Sequence, residues 1–291
     1  MATFLISAAP ADALAPRQFQ DPEAAAAALK DAVAADGAEA LIQLLGDGHP
    51  EIFPNEPAVA AAERAQVLDA MDRLVHLEFY GDDRVILVLG PNAWPFPIPL
   101  VHQAGGWEFD TAAGAQEVVD RRIGRNELAA IQVCNDYVRA QVEYASADHD
   151  DDGVLEYAQR LLSTPGRKDG LYWNAEPDEP ASPFGAEIAA ATPFLQGREP
   201  GDPYLGYFYR VLTRQGPNAP GGAHDFVING NMIARFALVA WPAQYDASGI
   251  TTFICSNEGD VLETDLGPET AQLGALIDSY DPDPGWIPVD Q

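Results

Sequence analysis

The sequence predicts an α+β protein in two parts, and three observations carry that reading. Helix-spaced small and apolar residues occupy the region before position 75, and two turn-linked pairs of strand-like segments follow it. A long helix-spaced run then begins near Asn126, and several strand candidates follow it in turn. At 291 residues the chain exceeds the roughly 100 to 200 of a typical single domain. The boundaries expected are 1–18 for a leader remnant or disordered segment, 19–120 for a first α+β domain, and 121–291 for a second.

Asp21-Pro22-Glu23 opens the first helix with a capping acid, a proline at the first helical position and an acidic first turn, and Gly37 closes it. A short helix over 38–45 stops at Gly46. From 57 to 74, Val59, Ala62, Ala65, Leu68, Met71 and Leu74 stand three apart, near the spacing of one helical face. Segments 75–80 and 84–89 flank Gly81-Asp82-Asp83, and 100–103 and 107–110 flank Ala104-Gly105-Gly106, which suits two hairpins. Between them the alternating prolines of WPFPIP are incompatible with a central strand and predict a stiff lead-in.

A connecting helix is expected over 111–124, with Asn126 capping a separate helix over 126–147. In the second helix Leu128, Ile131, Cys134, Val138, Val142 and Ala145 form an apolar stripe. A short helix or turn over 154–162 and a Pro/Gly-rich region come next. Strands are expected at 206–214, 225–228, 235–241 and 251–255, and a fifth at 261–264 beyond the turn Ser256-Asn257-Glu258-Gly259.

Sixteen basic against 45 acidic residues give a formal net charge of −29. Such a surface repels phosphate backbones and anionic bilayers, so nucleic acid is excluded as a partner. No apolar run approaches the ~20 residues that span a bilayer, so the chain is not expected to be an integral membrane protein. Phe4 to Ile6, followed by small residues and an A-x-A-like end at Ala13 to Ala15, resembles the back half of a secretory signal without its basic start.

Asp148-His149-Asp150-Asp151-Asp152-Gly153 matches the first six positions of a D-x-[DN]-x-[DN]-G calcium loop. Hard cations need several oxygens at once, and alternating carboxylates before a glycine turn converge them. Asp148, Asp150, Asp152 and Glu156, at position nine, are the expected Ca2+ ligands. Position twelve is Gln159 where the pattern has a bidentate Glu, and the competing reading is a solvated acidic turn. Cys134 and Cys255 are the only cysteines, and both are expected in one helix-sheet core, as free thiols or as a pair. None of the five histidines forms a metal-type close pair, and nucleophile elbows and phosphate-binding glycine loops are absent from the sequence. His224 beside Asp225 reads as turn chemistry, because neighbours in a strand face opposite ways.

The stretches WPFPIPLV, GGWEFDTAAG, RRIGRNELAAIQVC, YVRAQVEYA, DGVLEYAQRLLSTPG, DGLYW, GYFYRVLT, QGPNAPGGA, FALVAWPAQY and DLGPET resemble the bacterial DUF2950 family of exported proteins without assigned function. That resemblance implies an envelope or periplasmic location and carries over no active residue. Helices followed by a sheet ending in PLVHQAGGWEFDT resemble the cone-shaped α+β fold of the nuclear transport factor superfamily. The order of long helix, variable region, GYFYRVLT, FALVAWP and TTFICSNEGDVLE resembles the soluble part of type IV pilins and pseudopilins, without their N-terminal membrane helix. Together these readings give a non-catalytic envelope module that binds a protein or glycan. The alternative is a hydrolase or isomerase using a cone-fold pocket near Trp94, His102 and Trp107.

Overall fold

The computed structural model describes residues 14–54, 57–175, 179, 181–184 and 203–289. Most of the expected leader remnant, residues 1–13, lies outside them. The chain divides into two compact units, the first ending at Asp120 and the second beginning at Arg121. Both contain helices and antiparallel sheet.

In the first unit, α1 (Pro22–Ala34) is capped by Asp21, whose carboxylate accepts the Ala24 N–H at 2.7 Å. Ala25, Ala26, Leu29, Ala32 and Val33 make its buried face. α2 (Glu39–Leu45) and α3 (Pro57–Arg73) follow, and Met71 is the one residue of α3 that is fully buried. Val67, Leu68 and Ala70 of α3 also pack, partly buried, against the core of this unit. Residues 14–19 are tied to this unit: the Arg17 N–H donates to Leu44 O at 3.0 Å and Phe19 bridges Trp107.

The first sheet contains β1 (Val75–Tyr80), β2 (Arg84–Leu89), β3 (Trp94–Pro95), β4 (Leu100–Gln103) and β5 (Gly106–Phe109). β2 pairs with β1 on one edge and with β3 and β4 on the other, and β4 pairs with β5. Proline thus enters the sheet only in the two-residue β3, as its missing N–H requires. Leu87, Leu89, Phe96, Ile98, Leu100, Trp107 and Phe109 pack with α1 in one core. Phe96 meets Trp94 and Phe109 edge-on, and His102 lies exposed with its ring 5.1 Å from that of Trp107.

α4 (Thr111–Tyr144) is one uninterrupted helix. The break expected between Gly124 and Asn126 is absent, because Asn126 is engaged elsewhere: its Nδ2 donates to Ser248 O at 2.8 Å. Next to it, Glu127 Oε1 accepts the N–H groups of Ile250 and Thr251, both at 3.0 Å. Of the expected stripe, Cys134 is buried and Ile131 and Val138 pack partly buried against the same core, but its two ends depart from it. Leu128 and Val142 are exposed, while Ala130, Cys134, Tyr137, Gln141 and Tyr144 are buried. Polar atoms are tolerated on this face because each finds a partner, as when Tyr137 Oη donates to Ala237 O at 3.0 Å.

The second sheet is a meander of β6 (Tyr207–Leu212), β11 (Ala237–Pro242), β12 (Thr251–Ser256), β13 (Val261–Asp265) and β14 (Ile287–Pro288), all antiparallel. The segment expected as a strand at 225–228 does not join it. It is divided between two small ribbons, β7 (Arg214–Gln215) with β8 (His224–Asp225) and β9 (Val227–Ile228) with β10 (Asn231–Met232). Helix α5 (Thr270–Leu276) covers the sheet face that carries Phe208, Arg210 and Trp241. A Cβ on Gly274 would stand 2.4 Å from Trp241 Cγ, so only glycine permits this approach. Arg210 lies over the Trp241 ring and donates to the carbonyls of Gly274 and Ala275 at the end of α5. With α4 on the opposite face, every residue of β11 is buried. Among the described residues no helix is long and apolar enough to cross a membrane.

Candidate functional site

The C-terminal end of α4 positions the acidic loop. Tyr144 is buried, and its hydroxyl donates to Lys168 O at 2.7 Å. His149 folds back onto it: the ring stacks on that of Tyr144 at 4.1 Å and 26°, and its Nε2 lies 3.0 Å from Tyr144 O. A carbonyl only accepts, so this contact makes Nε2 the donor. The other neighbour of the ring is Trp173, 5.5 Å away.

Around this anchor the three aspartates form a self-capped turn. Asp148 Oδ1 accepts from the N–H groups of Asp150 and Asp151, and its Oδ2 accepts from Gly153 N–H at 2.9 Å. Asp150 caps Asp152 N–H, and Asp152 caps Val154 N–H while accepting from Asn231 Nδ2 at 2.7 Å. Gly153 takes φ +83, a value that side-chain-bearing residues rarely adopt, and so turns the chain back. The Gly153 N–H, with help from those of Asp150 and Asp151, holds the Asp148 carboxyl below the usual carboxylate range. One oxygen of each of Asp148, Asp150 and Asp152 lies within 4.8 Å of the others, at the surface.

Glu156, the fourth expected ligand, is not part of that group. Its Oε2 accepts the Met232 N–H at 3.0 Å, and Tyr157 continues the contact as a bridge to Met232. Gln159 donates to Gly230 O at 2.6 Å. Within the segment 154–162, expected as a helix or turn, Glu156, Tyr157 and Gln159 are therefore held instead against Gly230 and Met232. Gln141 closes the loop from inside: its Oε1 accepts Ala158 N–H and its Nε2 donates to Ala158 O, both at 2.8 Å.

Facing the acidic loop is a second turn, residues 160–174, fastened by side chains to its own backbone. Thr164 donates through N–H and hydroxyl to the two oxygens of Asp169, at 2.7 and 2.8 Å. Burial pushes the Asp169 carboxyl up, but these two bonds, aided by the charge of Arg160, outweigh it and leave it below the ordinary value. Ser163 and Gly170 exchange bonds at 3.1 and 3.2 Å, and Leu162 pairs with Tyr172.

The two loops enclose a cleft of about 950 Å3. Tyr144, His149, Tyr172 and Trp173 supply aromatic surface, and the polar lining includes Asp150, Thr164, Asp169 and Asn174. Five carboxylates (Asp150, Asp151, Glu156, Asp169, Glu179) stand against two cations (Arg167, Lys168) in the lining. The Lys168 ammonium lies 5.7 Å from the centre of the Trp173 ring and 3.9 Å from Glu179. The cleft is thus acidic, with a cation already over its tryptophan. Asp150 belongs to both the aspartate cluster and the cleft.

Sequence reading found the aspartates but not the opposing wall. The signal available was TPGRKDGLYW, a turn-rich segment ending in two aromatics. Its use as a wall depends on Thr164 meeting Asp169 and on His149 packing against Trp173. The His224-Asp225 pair, expected as turn chemistry, forms the two-residue β8, with His224 Nδ1 3.1 Å from Gly222 O at the surface.

A family model for proteins of unknown function (DUF2950) matches residues 16–289. The chain belongs to that family. No curated protein and no solved structure matches it.

Proposed function

We propose that the protein is an exported, non-catalytic binding module of the cell envelope that holds a neutral glycan in the cleft of its second unit and takes calcium on the acidic loop. One observation carries this reading: the aspartate cluster and the aromatic cleft adjoin and share Asp150. The lining selects the ligand class. An anion would face five carboxylates, and a cation would compete with Lys168 for the Trp173 ring. A neutral polyhydroxylated ligand avoids both penalties. Its C–H faces suit Tyr172, and its hydroxyls suit Asn174 and the carboxylates.

Calcium fits the same reading, since three exposed carboxylates converge where each offers lone pairs beyond those used by the turn. In this proposal the first unit is a nuclear-transport-factor-like cone fold and the second a pilin-like helix on a meander. Both serve as scaffolds for surface recognition.

The experiment is a binding panel of neutral, cationic and anionic oligosaccharides on the full chain in calcium-containing buffer. Retention of neutral members by the wild type, with at least about tenfold weaker binding by Tyr172→Ala, is the expected result. If no oligosaccharide binds, or if binding is indifferent to Tyr172→Ala, the reading fails.

A further inference from the structure

One edge of the first sheet is an open strand. β1 pairs with β2 along its whole length, Val75 to Tyr80, without a bulge, and among the described residues no strand or bridge takes its other edge. Such edges are ordinarily blunted by lysine, proline or a bulge, and β1 carries none of these. It is instead apolar and uncovered: Phe79 is 57% exposed, Tyr80 49% and Val75 37%, with Leu74 just before the strand at 47%.

The ladder fixes which groups this edge offers. Leu74 O accepts the Gly90 N–H at 2.9 Å, so by the alternation of an antiparallel pair His76, Glu78 and Tyr80 also bond to β2. Across β2 the alternation agrees, since Leu87 O and Asp83 O turn the other way and accept from Phe96 and His102. Val75, Leu77 and Phe79 therefore aim their N–H and C=O groups away from the sheet. Their side chains share a face with their β2 partners Leu89, Leu87 and Val85, which are fully buried, and Leu77 packs partly buried against the same core. His76 and Glu78 stand on the opposite face, across from Val88 and Ile86, so neither meets an opposite charge on β2. Tyr80 Oη donates to Glu78 Oε1 at 2.9 Å and steadies the carboxylate on that face.

We propose that β1 is a dimerisation edge, pairing antiparallel with β1 of a second copy about a two-fold axis at Leu77. A ladder forms only where outward-aimed residues stand opposite one another, and the register centred on the strand sets Leu77 against Leu77, Val75 against Phe79 and His76 against Glu78 of the second copy. The charges select this register. The neighbouring registers of the same parity set Glu78 against Glu78, or His76 against His76. In the centred register Val75, Leu77 and Phe79 exchange backbone bonds with the second copy, while His76 and Glu78 fall in the pairs whose side chains approach closest. The dimer is closed, because each copy uses its one open β1 edge once. This edge belongs to the first unit and is independent of the cleft and its ligand.

The net charge of −29 opposes self-association at low salt, so the full chain is tested in about 0.15 M sodium chloride, where exposed charges more than about 8 Å apart are largely screened. Sedimentation equilibrium over about 1 to 300 µM should show a reversible equilibrium between monomer and dimer, as suits a small interface. Phe79→Lys, at an exposed position, should weaken it at least about tenfold. His76→Glu sets a carboxylate against Glu78 of the second copy twice in each dimer and should weaken it at least about threefold. The double exchange His76→Glu/Glu78→Lys brings opposite charges together again and should associate more tightly than His76→Glu alone. Unchanged circular dichroism shows that each variant folds, and the wild-type measurement needs no variant. A wild type that stays monomeric throughout, a mass that grows beyond the dimer, a dimer indifferent to Phe79→Lys, or a double exchange no tighter than His76→Glu would overturn the proposal.

Discussion

Replacing Gln141 with methionine isolates the link between α4 and the acidic loop. Gln141 is fully buried, and its amide satisfies both backbone groups of Ala158 while also donating to Tyr137 Oη at 3.0 Å. Methionine nearly matches its shape, so packing is conserved and the polar contacts are what is lost. Tyr137 keeps its bond to Ala237 O. Ala158 N–H and C=O are left buried without partners, at about 1 to 3 kcal/mol each. Against this, the apolar methionine returns about 1 kcal/mol of burial. The net expectation is a loss of about 1 to 5 kcal/mol, or roughly 2 to 20 °C in melting temperature for a unit of this size. Urea unfolding followed by circular dichroism measures it, with an unchanged m-value marking an effect on stability alone. A shift inside about 0.5 kcal/mol would refute the reasoning, since it would mean that Ala158 finds other partners at no cost.

Three further outcomes follow from the same contacts. Gly274→Ala should destabilise by about 1 to 3 kcal/mol in urea unfolding, because its Cβ falls 2.4 Å from Trp241 Cγ; the roughly 1 kcal/mol that alanine gains over glycine in a helix does not offset the clash. A more stable variant would contradict that packing. If the acidic loop binds calcium with the modest affinity of extracellular sites, about 10 mM calcium should raise the melting temperature by roughly 3 to 6 °C over chelator, and Asp150→Ala should abolish the rise. Equal melting in calcium and chelator would reduce the loop to a solvated turn. Asp148, whose folded pKa is depressed, stabilises the loop above its unfolded value near 3.9 and loses that effect as pH falls through the lower folded value. A carboxyl NMR titration should therefore place Asp148 below an ordinary aspartate, and a midpoint at or above the ordinary value would contradict the cap by Gly153.

Local chemistry was legible in the sequence wherever neighbours in the chain decide it. Asp21 caps α1 as its position before Pro22 requires, and Gly81 and Gly259 sit in the hairpin turns that their spacing suggests. The ends of the α4 stripe were not legible. The expected stripe includes Leu128 and Val142 and leaves out Gln141, whereas the structure exposes the first two and buries the third. What decides is Ala158, seventeen positions away, whose two backbone groups need a buried amide. Gly124 likewise reads as a break, and its cost of about 1 kcal/mol is too small to end a helix whose next residues hold the 248–251 segment. The aspartate turn was visible because its ligands alternate in sequence. The cleft was not, since its walls meet through Tyr144 Oη on Lys168 O and His149 against Trp173, contacts between segments about 24 positions apart.

The central claim is that the acidic loop and the cleft are one site, joined at Asp150 and at His149 between Tyr144 and Trp173. The most direct test titrates calcium into the full chain while tryptophan emission is recorded, with Trp173→Phe to assign the signal. The account predicts a saturable change in emission that disappears in both Trp173→Phe and Asp150→Ala. Calcium binding that leaves the Trp173 signal unmoved, or no binding at all, would contradict it.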